Sequence, residues 1–258
     1  MGHKKNLLVI KREQPLVEAR FLERPNRFMV RCRIQHANQT YGKEATRLDS
    51  IVEAHLPDPG RMKELLIPET RIWLEPALTS TRKTRWSAVL TEDPRSGELV
   101  SIDSTLPNQL IKKALEHGAL PELADWSLIR PEARVGHSRF DFLLASADGR
   151  KMALEVKSVT LVQERTGLFP DAVTARGTRH VKELTHLSQQ QGWVAGILFV
   201  GQRRDIDRIQ AAAHIDPTFA QTLFNAKQAG VQIMARRCTI TLNEIYLDEA
   251  IPVDFTHL

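Results

Sequence analysis

The chain has 258 residues, 42% of them hydrophobic and 26% charged, an ordinary globular composition that excludes disordered and fibrous classes and leaves room for one full-sized core with a smaller domain beside it. Its longest apolar run, Trp193 to Val200, is far short of the ~20 residues of a membrane-spanning helix, and Leu7 to Ile10 behind Lys4 and Lys5 is too short for a signal-peptide core, so a cytoplasmic protein with no membrane partner is expected. The formal charge of +5 is uneven: residues 1–85 carry 17 Lys and Arg against 10 Asp and Glu, and residues 86–258 carry 19 against 21.

From Arg27 to Ile34, the residues Phe28, Val30, Cys32 and Ile34 alternate with Arg27, Met29, Arg31 and Arg33. That period of two predicts a half-buried strand with an arginine-rich outer face. Arg20, Arg24, Lys43 and Arg47 crowd the same stretch, and such a density of arginine suits phosphate, which nominates Arg27, Arg31 and Arg33 as DNA contacts. A merely soluble basic surface has the same composition. Cys32 and Cys238 are isolated, with no Cys/His ligand spacing, so buried thiols are expected rather than a disulfide or a zinc site.

Ile51 to His55 and Arg71 to Leu74 read as short strands separated by HLPDPGRMKELLIPE, where Pro57, Pro59 and Gly60 force a turn before a short helical run. His55, Asp58 and Arg61 at that turn could line a ligand-facing loop, or the Pro and Gly could serve the turn alone. Trp73 and Trp86 could stack on bases, but a Trp on an alternating strand more often packs in the core. These first ~80 residues have the pattern of a small OB-like β-barrel, and the polar TRKTR at 81–85 sets a domain boundary at 84/85.

From residue 85 onward, strands and helices alternate. Trp86 to Leu90 and Leu99 to Ile102 are strands, Leu106 to His117 a helix with an early Pro107 and a Gly118 stop, and Ala172 to Gln190 a longer helix. The continuously apolar Val194 to Val200 predicts a strand covered on both faces. Asp216 and Pro217 start another helix, which Gly230 ends before the strand Val231 to Ala235. This is an α/β (α+β) pattern of a mixed sheet flanked by helices over residues 85–258.

The chemistry-bearing residues gather around SRFDFLLASADGRKMALEVKSVTL, two apolar runs joined by a loop with Asp148-Gly149 at its centre, which predicts a β-hairpin. If the loop is symmetric about residue 148, Asp141 lies opposite Glu155, with Cβ atoms about 4.5–5.5 Å apart. Facing carboxylates destabilise a sheet unless a positive charge lies between them, and a divalent cation would serve. Lys157, two residues on, points to the same face as Glu155 and could orient a water. An ExK triplet is common on exposed strands, but here Phe140, Phe142, Leu143, Leu144, Leu154, Val156 and Val159 mark a core hairpin, where paired acids are costly without compensation. A slip of one residue would destroy the arrangement.

The run ARVGHSRFDFLL, then EVKSVTL, FPDAVTARGTRHVKEL, LFVGQRRD and the segment from Asp216 to Met234, together with HLPDPGRMKELL, resembles the sugar fermentation stimulation protein A family over roughly residues 20–255, leaving the first ~19 as an extension. The resemblance implies an OB-like domain followed by a PD-(D/E)xK, restriction-endonuclease-like domain, in proteins regarded as non-specific DNA binders linked to sugar (maltose) metabolism. It implies that Asp141 and Glu155 are the two metal-binding acids and Lys157 the lysine, with Glu132 as an additional upstream acid and metal ligand. Asp171, Arg176 and His180 fall in the family's own signature. Asp171 would cap the following helix or reach the metal; Arg176 would contact the scissile phosphate or lie on a helix surface; His180 would act as an acid and contact DNA, or pack.

Two functions follow. One is a nuclease using Mg²⁺ or Mn²⁺, with the basic N-terminal domain, including Arg61, holding DNA by its phosphates. The other is a DNA-binding transcriptional regulator that uses the nuclease fold as a scaffold. Strandedness stays open, a homodimer is allowed, and no Gly-rich nucleotide loop points to sugar chemistry proper.

Overall fold

The computed structural model describes residues 8–34, 50–77, 84–136 and 138–256, with the backbone of two short strands at 40–41 and 44–45. Lys4, Lys5, Leu7, Lys43, Arg47 and residues 81–83 of the TRKTR segment therefore lie outside the described residues. Among those described, no helix is long and apolar enough to cross a membrane.

The chain opens with β1 (Val9–Lys11), followed by the hairpin of β2 (Val17–Asn26) and β3 (Met29–Ile34), the short β4 (Thr40–Tyr41) and β5 (Glu44–Ala45), then β6 (Ser50–His55), β7 (Arg71–Pro76), β8 (Trp86–Glu92) and β9 (Leu99–Ser101). The strand order is β6-β3-β2-β7-β8-β9, and a parallel pairing of β6 with β8 closes the five strands β6, β3, β2, β7 and β8 into a barrel. Val30, Cys32 and Ile34 face its core while Met29, Arg31 and Arg33 point out, as the alternation predicts. The helical run expected after Gly60 is only a turn at 63–65: Met62 has a positive φ of 45°, and Pro68 disfavours helical backbone at Ile67.

The domain boundary moves. The sequence placed it at 84/85, yet β8 closes the barrel and β9 extends its sheet beside β8, so this unit ends near Ser101 and the polar segment at 81–85 lies in the chain between two neighbouring barrel strands. Closure requires β8, which is buried from Trp86 to Thr91. Trp73 and Trp86 are core residues, as expected.

The second unit runs through α1 (Leu106–Glu116), β10 (Trp126–Val135), β11 (Ser138–Ser146), β12 (Lys151–Val159), β13 (Leu161–Gln163), β14 (Thr166–Phe169), α2 (Ala175–Ser188), β15 (Trp193–Gly201), β16 (Arg208–Ala211), α3 (Pro217–Gln228), β17 (Gln232–Ile240), β18 (Glu244–Ala250) and β19 (Val253–Asp254). The large mixed sheet has the order β1-β18-β17-β15-β12-β11-β10, with β12, β15 and β17 parallel at its centre. Leu110 and Ile111 of α1 pack on one face with Leu154 and Leu198; Val181 and Leu184 of α2 and Phe219 of α3 pack on the other with Ala153 and Ile197. The N-terminal extension is part of this sheet, since β1 pairs with β18. A smaller sheet, β13-β14-β16-β19, lies beside it. Asp216 caps α3 by accepting from Phe219 N at 2.9 Å, and Thr174 caps α2 by accepting from Gly177 N at 3.1 Å, so α2 starts three residues later than the sequence suggests.

The two units share a core. Trp73, Val89 and Leu90 of the barrel belong to the same buried cluster as Leu106, Leu154 and Leu198. A buried ion pair reinforces this seam: Arg203, 1% exposed, contacts Asp93, also 1% exposed, at 2.9 Å, with Asp205 at 2.6 Å on its other side. Burial pushes the Asp93 carboxyl up, but hydrogen bonds from Arg95 and Arg203 outweigh it and hold the pKa at about 2. Its stabilising contribution is therefore complete above the unfolded value near ~3.9 and is lost as pH falls through about 2. Arg203→Met should destabilise the protein by about 3–5 kcal/mol, because it leaves the Asp93 charge buried beside one fewer cation. Urea unfolding at neutral pH measures this, and an unchanged midpoint would show that the seam does not depend on the pair.

Candidate active site

The hairpin of β11 and β12 has the predicted register: Phe142 pairs with Leu154, and Ala145 with Lys151. Continued by one residue, it sets Asp141 opposite Glu155. The ladder ends at Phe142, and the Asp141 carboxylate takes over from the backbone, accepting Val156 N on Oδ2 at 2.7 Å. Its Oδ1 accepts from Asn108 Nδ2 of α1 at 2.8 Å.

Glu155 points to the α2 face. Its Oε1 receives both Lys157 Nζ at 2.5 Å and His180 Nδ1 at 2.8 Å, and among the described residues nothing is bonded to Oε2. The two acids are electrostatically unequal. Burial and then the facing Glu155 raise the Asp141 carboxyl above its usual range. Burial pushes Glu155 up as well, but His180 and Lys157 outweigh it and bring Glu155 below its usual value.

Of the remaining nominated residues, some join this centre and some do not. His180, assigned to the DNA-contacting set, is instead 6% exposed, with its ring edge-on to Phe140, so it braces Glu155 and is shielded from a passing strand. Glu132 is not drawn in: it sits at a positive φ of 50°, is exposed and pairs with Arg139. Among the described residues no three His, Cys, Asp or Glu side chains group as metal ligands. Asp171 neither caps α2 nor joins the acids. It accepts Arg61 N at 2.5 Å and Met62 N at 3.3 Å, and so ties the barrel loop to the second unit.

That barrel loop is held from its own side by Arg24, whose guanidinium reaches the carbonyls of Gly60 at 2.6 Å and Arg61 at 2.8 Å. Asp58 folds back onto Gly60 N at 2.7 Å, and burial pushes its carboxyl up to about 6. A Cβ at Gly60 would lie 2.9 Å from the carboxylates of both Asp58 and Asp171, so both would have to shift from the hydrogen bonds that hold the loop.

The arginine face of β3 is partly neutralised. Arg31 is paired with Glu23 and Glu53, and Arg33 with Glu69, so the positive charge that the sequence suggested for this face is partly compensated. Arg27 lies against the Phe28 ring, and Arg61 and Arg176 are exposed; among the described residues none of these three has an acidic partner. Sequence reading missed Asn108, Arg24 and the pair of Asp93 with Arg203. Asn108 lies 33 positions from Asp141, and no local pattern links the two.

An OB barrel packed on a restriction-endonuclease-like mixed sheet, with two facing acids and a lysine on the central hairpin, is the class that this fold and site define. Residues 22–102 match the SfsA N-terminal OB domain and residues 105–244 the sugar fermentation stimulation protein RE domain. The chain belongs to the sugar fermentation stimulation protein family. It is 44% identical to the sugar fermentation stimulation protein homolog of Shouchella clausii, over 93% of this chain and 97% of that protein, and 39% identical to the homolog of Acetivibrio thermocellus, over 92% and 94%. The structure of Pyrococcus furiosus SfsA in complex with Ca²⁺ superposes with a TM-score of 0.82 at 31% identity, covering 95% of this chain and 98% of that one.

Asp171→Ala should release the barrel loop without unfolding the barrel, since charge-assisted hydrogen bonds of this kind contribute about 1.5–3 kcal/mol. Hydrogen exchange should show faster exchange at Arg61 and Met62 and unchanged protection in β2 and β3; equal exchange at the loop amides would mean that Asp171 does not hold them.

Proposed function

We propose that the chain binds DNA largely without sequence preference and hydrolyses phosphodiesters with Mg²⁺ or Mn²⁺ held by Asp141 and Glu155. The observation that carries this reading is the half-buried Asp141 and the buried Glu155, electrostatically coupled across the β11–β12 hairpin, with one lysine beside them. The donor set fits the ion: two hard carboxylates suit Mg²⁺, which keeps several waters and shares its shell with phosphate, and Glu155 Oε2 is left for it. A cation bound there would polarise a phosphodiester and lower the pKa of a water. Asp141 is held in place by Asn108 and Val156 N, Glu155 by His180, and Lys157 stands ready to orient the attacking water. The relative solved with Ca²⁺, a cation of similar ligand preference, supports a cation site in this fold. Arg27, Arg61 and Arg176 are the candidates for phosphate contacts.

One observation favours the second reading, a DNA-binding regulator that cuts nothing: each carboxylate already has nitrogen donors, so the cluster is satisfied in part without a metal. Incubation of DNA with the protein and Mg²⁺, Mn²⁺ or a chelator separates the two. The nuclease reading expects metal-dependent cleavage that falls at least about a hundredfold in Lys157→Ala and in Asp141→Ala, with folding retained and binding kept. Binding without cleavage under every condition would select the regulator.

The phosphate contacts are tested apart from the chemistry. Replacing Arg27, Arg61 and Arg176 together by Ala should weaken duplex binding and lower the slope of log affinity against log salt by up to about 3. An unchanged slope would remove these residues from the interface.

A further inference from the structure

The reacting groups are recessed. The Lys157 side chain is 16% exposed and that of Glu155 7%, and Lys157 opens into a cleft of about 320 Å³ between the two units. One wall is the barrel loop at Asp58 and Gly60; the other is Lys157 with Leu161, Leu168 and Phe169. Arg24 and Asp171 pin the loop from opposite sides, so this wall is built into the fold.

We propose that the cleft is a subsite for one unpaired nucleotide, and that the substrate is therefore single-stranded or frayed nucleic acid. The inference rests on the nuclease reading, which it extends to the strandedness of the substrate. The size of the cleft carries the first part of the case. A volume of about 320 Å³ sits at the low end of the ~300–1,000 Å³ typical of small-ligand pockets, and a base-paired stack is far larger. For a phosphate to reach Lys157, its nucleotide has to leave the stack and pass beneath the barrel loop.

Chemistry carries the second part. Leu161, Leu168 and Phe169 offer an apolar surface to a base, whereas Asp58 and Asp171 at the barrel wall repel phosphate and accept hydrogen bonds from base N–H groups. Among the described residues Lys157 is the one cation that lines the cleft. Phosphate is thus directed to Lys157 and the base into the gap between these apolar residues and the barrel loop, which places the phosphodiester beside Glu155, the carboxylate bonded to Lys157.

The test fills the cleft from each side, with Leu161→Trp and with Ser104→Trp, Ser104 also lining the cleft; both leave Asp141, Glu155 and Lys157 untouched. Fluorescence anisotropy compares a short oligothymidine with a blunt duplex of equal length, in Ca²⁺ to separate binding from cleavage; thermal melting checks the fold, and calorimetry with Mn²⁺ alone checks the metal site. The wild type should bind the single strand about tenfold tighter than the duplex, and at least one folded variant should lose that preference while keeping its affinity for Mn²⁺. Equal binding of strand and duplex by the wild type, or an undiminished preference in both folded variants, would overturn the proposal. A single-strand preference that depends on the cleft, with no Mn²⁺ binding at all, would keep the subsite and sink the nuclease reading; metal-dependent cleavage indifferent to both substitutions would do the reverse.

Discussion

One hydrogen bond links the fold of this protein to its site: Val156 N donates to the Asp141 carboxylate at 2.7 Å. A backbone N–H on a buried central strand must find an acceptor, and at this point the pairing of β11 with β12 has ended. The side chain of Asp141 replaces the missing carbonyl, so the same residue completes the sheet and contributes an acid to the site. Asn108 fixes its second oxygen from α1. The carboxylate is thereby held partly out of solvent by the demands of the backbone, and this desolvation raises its pKa.

The barrel is held to this sheet by more than a linker. Trp73 and Leu90 enter the core of the second unit, Arg203 crosses the seam to Asp93, and Asp171 holds the loop at Arg61 and Met62. Apolar burial supplies attraction without direction, whereas the ionic and hydrogen-bonded contacts set the position of the loop over Lys157. The cleft is a consequence of that docking, because neither unit encloses it alone.

The central hairpin was legible because its Asp-Gly loop fixed the register, and a period of two then carried Asp141 to Glu155. β15 was legible as an unbroken apolar run, and the barrel core as the alternation of Val30, Cys32 and Ile34. Cross-strand partners were not legible. Arg31 and Arg33 form a basic face in the sequence, but β3 lies between β2 and β6, whose Glu23 and Glu53 neutralise Arg31. Glu132 is well placed in the chain, yet its left-handed backbone and Arg139 keep it at the surface. The boundary at 84/85 followed local polarity, whereas barrel closure is a long-range requirement that brings Trp86 beside Ala54. His180 could be nominated from its motif, but its partner, 25 positions away, is visible only once α2 packs on the sheet.

The inequality of the two acids follows from this geometry. Glu155 gathers Lys157 and His180 on a single oxygen, so its charge is balanced within the protein and its pKa is lowered. Asp141 has only neutral donors bonded to it, an amide side chain and a backbone N–H, which do not offset its burial and then the nearby Glu155, so its charge is the less compensated and its pKa is raised. A cation held between them would gain most from Asp141, the less compensated charge, and would meet Glu155 at Oε2, the oxygen that Lys157 and His180 leave free.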